Sequence, residues 1–508
     1  MVFAISFFII LLFVLWGVFW PQNLNETANG LLSVIIEKCG WFYMLVTFGF
    51  LLFALTLAFS KYGSIRLGPD GQKPEYSLLT WFSMLFSAGM GIGLVFWGVA
   101  EPMYHYVDPP FDAEGKTAKA ARLAMRYAFF HWGLHPWAIY TVIALSIAYF
   151  QFRKRTSSLI SATFQPLLDH KVNGPLGKAI DLLAIFATAF GVATSLGLGA
   201  LQINGGLSHL LDIPNQLSIQ LVIILILTVM YIASATTGLN KGIKTLSNVN
   251  MAVAVGLLLV VLFVGPTSFL FEVFTTTLGD YLQNLISMSL RMAPFTDGSW
   301  LANWTLFYWA WWIAWAPFVG LFIARISKGR TIREFVIGAL IAPSLFSFLW
   351  FSVFGGLALK LEIVDGRNIT QAVQADLTSA LFVTLEHLPF GSIAAALATV
   401  LIITFFVTSA DSATYVLGML SSNGRLNPTR RVRVAWGILQ AAIAAVLLVS
   451  GGLKALQTAS IVAALPFAAI LAAMCVSLWK ALAQEHRERM RQERERQKKL
   501  EQLLYARE

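Results

Sequence analysis

The sequence predicts an all-α polytopic membrane protein, and three observations carry that expectation. Hydrophobic residues make up 57% of the chain and charged residues 12%, with a mean hydropathy of +0.70. Soluble domains hold roughly 25% charged residues. Twelve stretches are mainly apolar over the about 20 residues that a membrane-spanning helix needs. They lie near 2–20, 41–60, 77–99, 127–150, 180–203, 215–236, 247–269, 302–324, 335–360, 388–420, 432–452 and 459–482. Finally, basic residues alternate between loops. With the N-terminus cytoplasmic, loops 60–76, 151–179, 237–246, 325–334 and 421–433, together with the segment from Lys480 onward, hold 27 of the 36 Lys and Arg residues. By the positive-inside rule both termini are cytoplasmic.

The first stretch, Val2 to Trp20, has no basic n-region and no small-residue cleavage site. It reads as a retained span rather than a signal peptide. Between the seventh and eighth spans, Phe271 to Pro294 is amphipathic, with Asp280, Asn284 and Arg291 among leucines and methionines. That pattern predicts a helix lying in the membrane interface. After Ala483 the chain is charged all round, and Glu/Arg pairs at i, i+3 and i, i+4 support a helix there. This tail reads either as a solvated end or as a regulatory contact with lipid or a neighbouring subunit. The net charge of +10 reflects topology and anionic lipid, not nucleic acid. Cys39 and Cys475 lie near opposite ends of the chain and imply no disulfide framework.

Six tryptophans fall within sixteen residues, from Trp300 to Trp315. Tryptophan usually marks the two membrane interfaces, but this run continues inward along an apolar helix. Aromatic faces attract cations, above all quaternary ammonium groups. The fourth span adds Trp132, Trp137 and Tyr140. At 100° per residue on one continuous helix these three share a broad face. They read either as walls around a cation or as an aromatic packing stripe. His131 and His135 have the i, i+4 spacing of a metal pair, with Glu101 the one carboxylate proposed near them. Without a third ligand they read as hydrogen-bonded structural histidines. A membrane-embedded enzyme would need a nucleophile–base pair or a metal cluster, and these histidines are the sole candidates.

The third span contains Ser87-Ala88-Gly89-Met90-Gly91-Ile92-Gly93. Glycine inside a helix costs roughly 1 kcal/mol relative to alanine. Three at alternate positions predict either an unwound segment, as in the broken helices of transporters, or close helix packing. In the tenth span, Thr408 and Ser409 are hard oxygen donors suited to an alkali cation, and equally to interhelical hydrogen bonds. Asp411 beside them is costly within a membrane and marks either function or a span end bonded to a loop.

Together these segments resemble the betaine/carnitine/choline transporter family. The run Asn303-Trp304-Thr305-Leu306-Phe307-Tyr308-Trp309-Ala310-Trp311-Trp312 is similar to that family's signature, and the glycine motif, Ala100-Glu101-Pro102, the Trp132/Trp137/Tyr140 helix and Thr408 to Ser412 sit where the family would place them. The resemblance covers essentially the whole chain. It implies a LeuT-type core of two inverted five-helix repeats, 77–270 and 302–482. Two extra helices (1–76) would precede it, an interfacial helix (271–301) would join the repeats, and a cytoplasmic tail (483–508) would follow. It further implies a homotrimer in a bacterial inner membrane, importing a small zwitterion by sodium symport, with sodium as coupling ion and no other cofactor. Some relatives use the tail to sense osmotic stress, and its charge pattern raises the same expectation here.

By position, the resemblance assigns Trp132, Trp137, Tyr140 and Trp312 to a box around a trimethylammonium group. Trp315 would hold substrate nearer the cytoplasmic exit and Trp311 would help close the outer side. Gly89, Met90, Gly91 and Gly93 would allow close approach of the substrate carboxylate. One sodium would take backbone oxygens of Ser87, Met90 and Phe405 with the hydroxyls of Thr408 and Ser409. Choline-type relatives carry Asp where Gly93 stands, and carnitine antiporters lose the glycine pattern, so a zwitterion such as glycine betaine is favoured. Proton-coupled choline uptake and sodium-independent exchange of carnitine-like substrates are the rivals. A second sodium would use Thr188 with Phe318. Its other threonine position is Val192, whose methyls cannot coordinate an ion, so that site is in doubt.

Overall fold

The computed structural model describes residues 1–508 except 90, 112, 238–239, 296–297 and 506–508, with backbone alone at 86–89, 237, 240–244, 500 and 503–505. Among the described residues the fold is helical, and its one β feature is an isolated bridge between Arg66 and Thr331. The main helices are α1 (Val2–Phe19), α2 (Pro21–Phe59), α3 (Leu78–Gly89), α4 (Ile92–Val107), α5 (Ala118–Trp132), α6 (Leu134–Ala148), α7 (Pro175–Leu211), α8 (Leu217–Thr237), α9 (Asn240–Val264), α10 (Thr267–Ser289), α11 (Phe307–Ile326), α12 (Ile332–Ile363), α13 (Gly391–Ser421) and α14 (Arg430–Tyr505).

Among the described residues, ten helical segments are long and apolar enough to cross a membrane. The count differs from twelve for identifiable reasons. The third predicted span is divided into α3 and α4, of 12 and 16 residues, each too short alone. The last two run together in α14, kinked at Gly451 and Gly452. Gly452 has φ 60° and ψ −139°, a conformation open essentially to glycine alone. The second span begins earlier than predicted, because α2 starts at Pro21, whose fixed φ suits a first helical turn.

The fourth span also departs from the sequence reading. It breaks at Gly133, which has φ −96° and ψ −132°. A Cβ there would stand 2.5 Å from the Phe129 carbonyl oxygen and 2.7 Å from the Phe348 ring. The helical wheel that put Trp132 on one face with Trp137 and Tyr140 therefore does not apply.

The basic loops meet at one end of the molecule. Leu67 N–H donates to the Arg330 carbonyl (2.8 Å), and Ile332 N–H to the Ile65 carbonyl (2.9 Å), joining loop 60–76 to loop 325–334. Arg153 donates to the Gly68 carbonyl (2.7 Å) and to Asp70 (3.0 Å). Arg489, on the far part of α14, also reaches Asp70 (2.7 Å). Glu485 accepts from Arg153 and from the Tyr149 hydroxyl. The tail is therefore tied to its own chain at Glu485 and Arg489, and becomes exposed beyond them. A capping box starts α12, with Thr331 accepting from Glu334 N–H and Glu334 from Thr331 N–H.

Helix α10 covers the segment predicted as interfacial, and it packs against α5 and α12. At the centre of the fold, α11 packs against α6, α7 and α14, while α4 packs against α5 and α12.

Candidate functional site

The site forms where α4, α5, α6, α7 and α11 converge. Trp132 closes α5, whereas Trp137 and Tyr140 lie beyond the break in α6. Trp312, from α11, reunites them. Its ring lies 4.9 Å from Trp132 at 82° and 6.0 Å from Tyr140 at 83°, and Trp137 lies 5.6 Å from Tyr140 at 78°. Four aromatic planes thus meet at three near-right-angle corners. Such pairs contribute about 0.5–1.5 kcal/mol each beyond their burial. Trp311 stacks on Trp312 at 5.1 Å and 17°.

Four indole N–H groups around the site are fixed. Trp132 donates to Glu101 (2.8 Å), Trp312 to the His131 carbonyl (3.0 Å), Trp315 to the Gly191 carbonyl (2.8 Å) and Trp311 to the Ser195 hydroxyl (3.3 Å). With its N–H held, each ring presents a chosen face. From Phe307 to Leu321 only Trp312, Trp315 and Phe318 keep partial exposure, at i, i+3 and i+6 on an otherwise buried helix. They form a single accessible stripe leading away from the corner rings.

The glycine motif resolves into both of the alternatives it raised. Helix α3 ends at Gly89, and Gly91 precedes α4 in extended conformation (φ −158°, ψ −176°). Close packing is also present, because a Cβ on Gly93 would stand 2.4 Å from the Trp311 ring and 3.2 Å from that of Trp132. The N-terminal turn of α4 is therefore in contact with the aromatic rings. Helix N-termini leave backbone N–H groups free and favour anions. Aromatic faces and a helix N-terminus are thereby adjacent. Met90 lies outside the described residues, as does the side chain of Ser87.

The proposed sodium ligands are less fully assembled. The Thr408 hydroxyl donates to the Thr404 carbonyl (2.9 Å) and accepts from Asn250 (3.5 Å), while Ser409 is partly exposed beside it on α13. Phe405 is buried on the same helix, and the adjacent Phe406 and Ile92 of α4 both close on Gly199. Asp411 is buried and accepts from Ser234 (2.7 Å). On α7, Thr188 is fully buried and donates to the Ala184 carbonyl (2.8 Å). The contacts of Ser195 with Trp311 and of Gly191 with Trp315 set an antiparallel register that carries Thr188 to the level of Phe318. Val192 is fully buried. Nearby Thr194 bonds to the Leu456 carbonyl (3.0 Å) and the Ser460 hydroxyl (2.9 Å).

The histidine pair separates. Across the break at Gly133, His135 lies 2.8 Å from the Ser289 hydroxyl and stacks on Trp309, whereas His131 turns to Glu101 (2.7 Å) and Thr305 (2.9 Å). The sequence reading took both as hydrogen-bonded structural histidines near Glu101, and both are hydrogen-bonded here, but it did not include His105. It is His105 that joins Glu101 and His131, with one potential ligand atom from each lying within 4.8 Å of the others. It also left Tyr308 without a role, although that hydroxyl donates to Glu101 at 2.5 Å. The available signal was Glu101 itself, an ionisable group within an apolar span.

The betaine/carnitine/choline family transporter profile matches residues 1–487. The chain belongs to this family. It is 53% identical over 477 residues to the glycine betaine transporter OpuD of Bacillus subtilis, covering 94% of this chain and 93% of that one. It is 49% identical to a probable glycine betaine transporter of Desulfitobacterium hafniense, over 95% of this chain and 97% of the other. An ectoine/hydroxyectoine transporter of Virgibacillus pantothenticus is 48% identical, over 95% and 96% respectively. Membership makes this chain a membrane transporter rather than an enzyme.

Proposed function

We propose that this transporter imports a quaternary-ammonium zwitterion, glycine betaine first, by sodium symport and alternating access. The observation that carries the reading is the contact of Gly93, at the N-terminus of α4, with Trp311 and Trp132. A methylated ammonium gains from aromatic faces, and a carboxylate one short molecule away gains from the helix end. A purely cationic substrate would use only the first of these. Two relatives, one a glycine betaine transporter and the other a probable one, point the same way.

The architecture proposed is twelve crossings, counting α3 with α4 as one, α5 with α6 as one and α14 as two, and leaving α10 in the interface, arranged as a LeuT-type core of two inverted repeats behind two extra helices. The tied basic loops would face the cytoplasm, together with both termini. Sodium would bind between the glycine motif and the Thr408/Ser409 pair, and the protein would work as a trimer in a bacterial inner membrane rich in anionic lipid. With Val192 in place of a hydroxyl residue, a single coupling sodium is favoured.

The test is uptake of labelled glycine betaine into proteoliposomes under separate inward sodium and proton gradients. Concentrative uptake on sodium alone is expected. Uptake on a proton gradient alone would replace sodium symport by proton symport, and uptake that needs only internal substrate would make the protein an exchanger. Unlabelled ectoine in the same assay, competing better than glycine betaine, would move the substrate assignment.

A further inference from the structure

Four polar side chains converge on the two oxygens of Glu101, a fully buried side chain in the middle of α4. His131 Nδ1 (2.7 Å) and His105 Nε2 (3.3 Å) reach Oε1. The Trp132 indole N–H (2.8 Å) and the Tyr308 hydroxyl (2.5 Å) reach Oε2. An indole N–H is a donor only, and a carboxylate anion accepts only. The arrangement therefore suits an ionised Glu101 with its lone pairs filled from the protein. With a proton on Nδ1, His131 donates to Glu101 and leaves Nε2 to accept from the Thr305 hydroxyl (2.9 Å). Thr305 sits in a π-helical turn, Ala302–Leu306, immediately before α11. That local widening belongs to a class of distortion common at functional sites.

A buried carboxylate is costly unless it is fully hydrogen-bonded. Packing alone would be served better by an apolar residue of similar volume. The charge stands behind the aromatic rings: Trp132 and Tyr308 touch Glu101 with their polar ends and lie 5.6 Å apart at 69°. Tyr308 also lies 6.2 Å from Trp312, stacked at 19°. Donation of an N–H or O–H to an anion polarises the donor and pushes electron density into its ring. A ring so enriched attracts a cation more strongly.

We propose that Glu101 is a positioning and specificity-determining residue, which fixes Trp132 and Tyr308 through their hydrogen bonds and enriches their faces for a cationic headgroup. Glu101 does not touch the substrate and acts through the two rings. The inference rests on the quaternary-ammonium reading of the site. It differs from a metal role for Glu101, His105 and His131, because the carboxylate is already shared between two histidines and two ring donors.

The test is a double-mutant cycle on the purified full-length protein, with glycine betaine affinity read from tryptophan fluorescence. Glu101→Gln keeps the shape and removes the charge. It is expected to weaken binding about tenfold in the wild-type background, and less than about twofold when Trp132→Phe and Tyr308→Phe have already removed both ring donors. Equal losses in the two backgrounds would show that Glu101 acts independently of the rings, and no loss in either would remove its role; both outcomes overturn the proposal. If Glu101→Gln does not fold, Tyr308→Phe alone decides, since it keeps the ring and loses only the donated hydroxyl. A weakening of about threefold or more is expected, and an unchanged affinity overturns the proposal. Failure of the wild-type protein itself to bind glycine betaine would instead sink the substrate reading.

Discussion

Gly93 and Trp311 are so close that a single added carbon on the first would stand 2.4 Å from the ring of the second. The contact joins the end of a broken helix to the aromatic rings. Gly93→Ala must push Trp311 away, and with it the ring stacked upon Trp311, which is Trp312. The expected result is a KM for glycine betaine raised about tenfold with normal expression. An unchanged KM would show that the rings yield without loss and that close approach is not needed there.

Trp312 is the corner shared by Trp132 and Tyr140. Trp312→Leu removes one π-face while leaving an apolar side chain at a half-buried position. A desolvated cation–π contact contributes about 2 kcal/mol, so KM should rise about 10- to 30-fold while thermal stability stays near that of the parent. Uptake kinetics with the parent KM would contradict the aromatic box.

The sodium assignment has its own check. Thr408→Ala combined with Ser409→Ala removes two hydroxyls from α13 without touching the rings. Half-maximal sodium for uptake is expected to rise at least about tenfold, with glycine betaine fluorescence binding at saturating sodium little changed. Sodium activation identical to the parent would place the coupling ion elsewhere.

At the opposite end of the site's helices, Asp70 holds Arg153 and Arg489 together. The hydrogen bond from Arg153 lowers the Asp70 carboxyl below its ordinary value of 3.8, against the upward pull of burial and with help from the charges of Arg153 and Arg489. A lowered carboxyl stabilises at pH values above its unfolded pKa and stops doing so as pH falls through the folded one. The tie therefore holds throughout the neutral range and is lost only in strong acid. Asp70 is largely exposed, so its share of global stability is small. Asp70→Asn should speed amide exchange in 485–499 with little change in Tm. Deleting 485–508 tests the osmotic expectation: activation by upshift that survives the deletion would refute it.

Gly452 turns the chain within α14 at φ 60° and ψ −139°. Gly452→Ala places a Cβ in a region that costs about 1–3 kcal/mol. A lower Tm is expected, whereas a parental Tm would mean that the kink relaxes freely.

The sequence by itself determined the class and most of the inventory. Composition and basic loops predicted a helical membrane protein, because apolar length and charge asymmetry are local properties that need no partner. The glycines raised either a break or close packing in the third span, and the tryptophans a cation-binding surface. Tertiary structure decided which residues meet. The break at Gly133 was not legible, since one glycine in an apolar helix is usually tolerated and its reason is the Phe348 ring, more than two hundred positions away. For the same reason the sequence did not show that His135 bonds to Ser289 while His105 joins His131 at Glu101. Glu101 was visible as an oddity, but its four partners come from three separate stretches of chain. A buried charge finds its partners only when those helices pack.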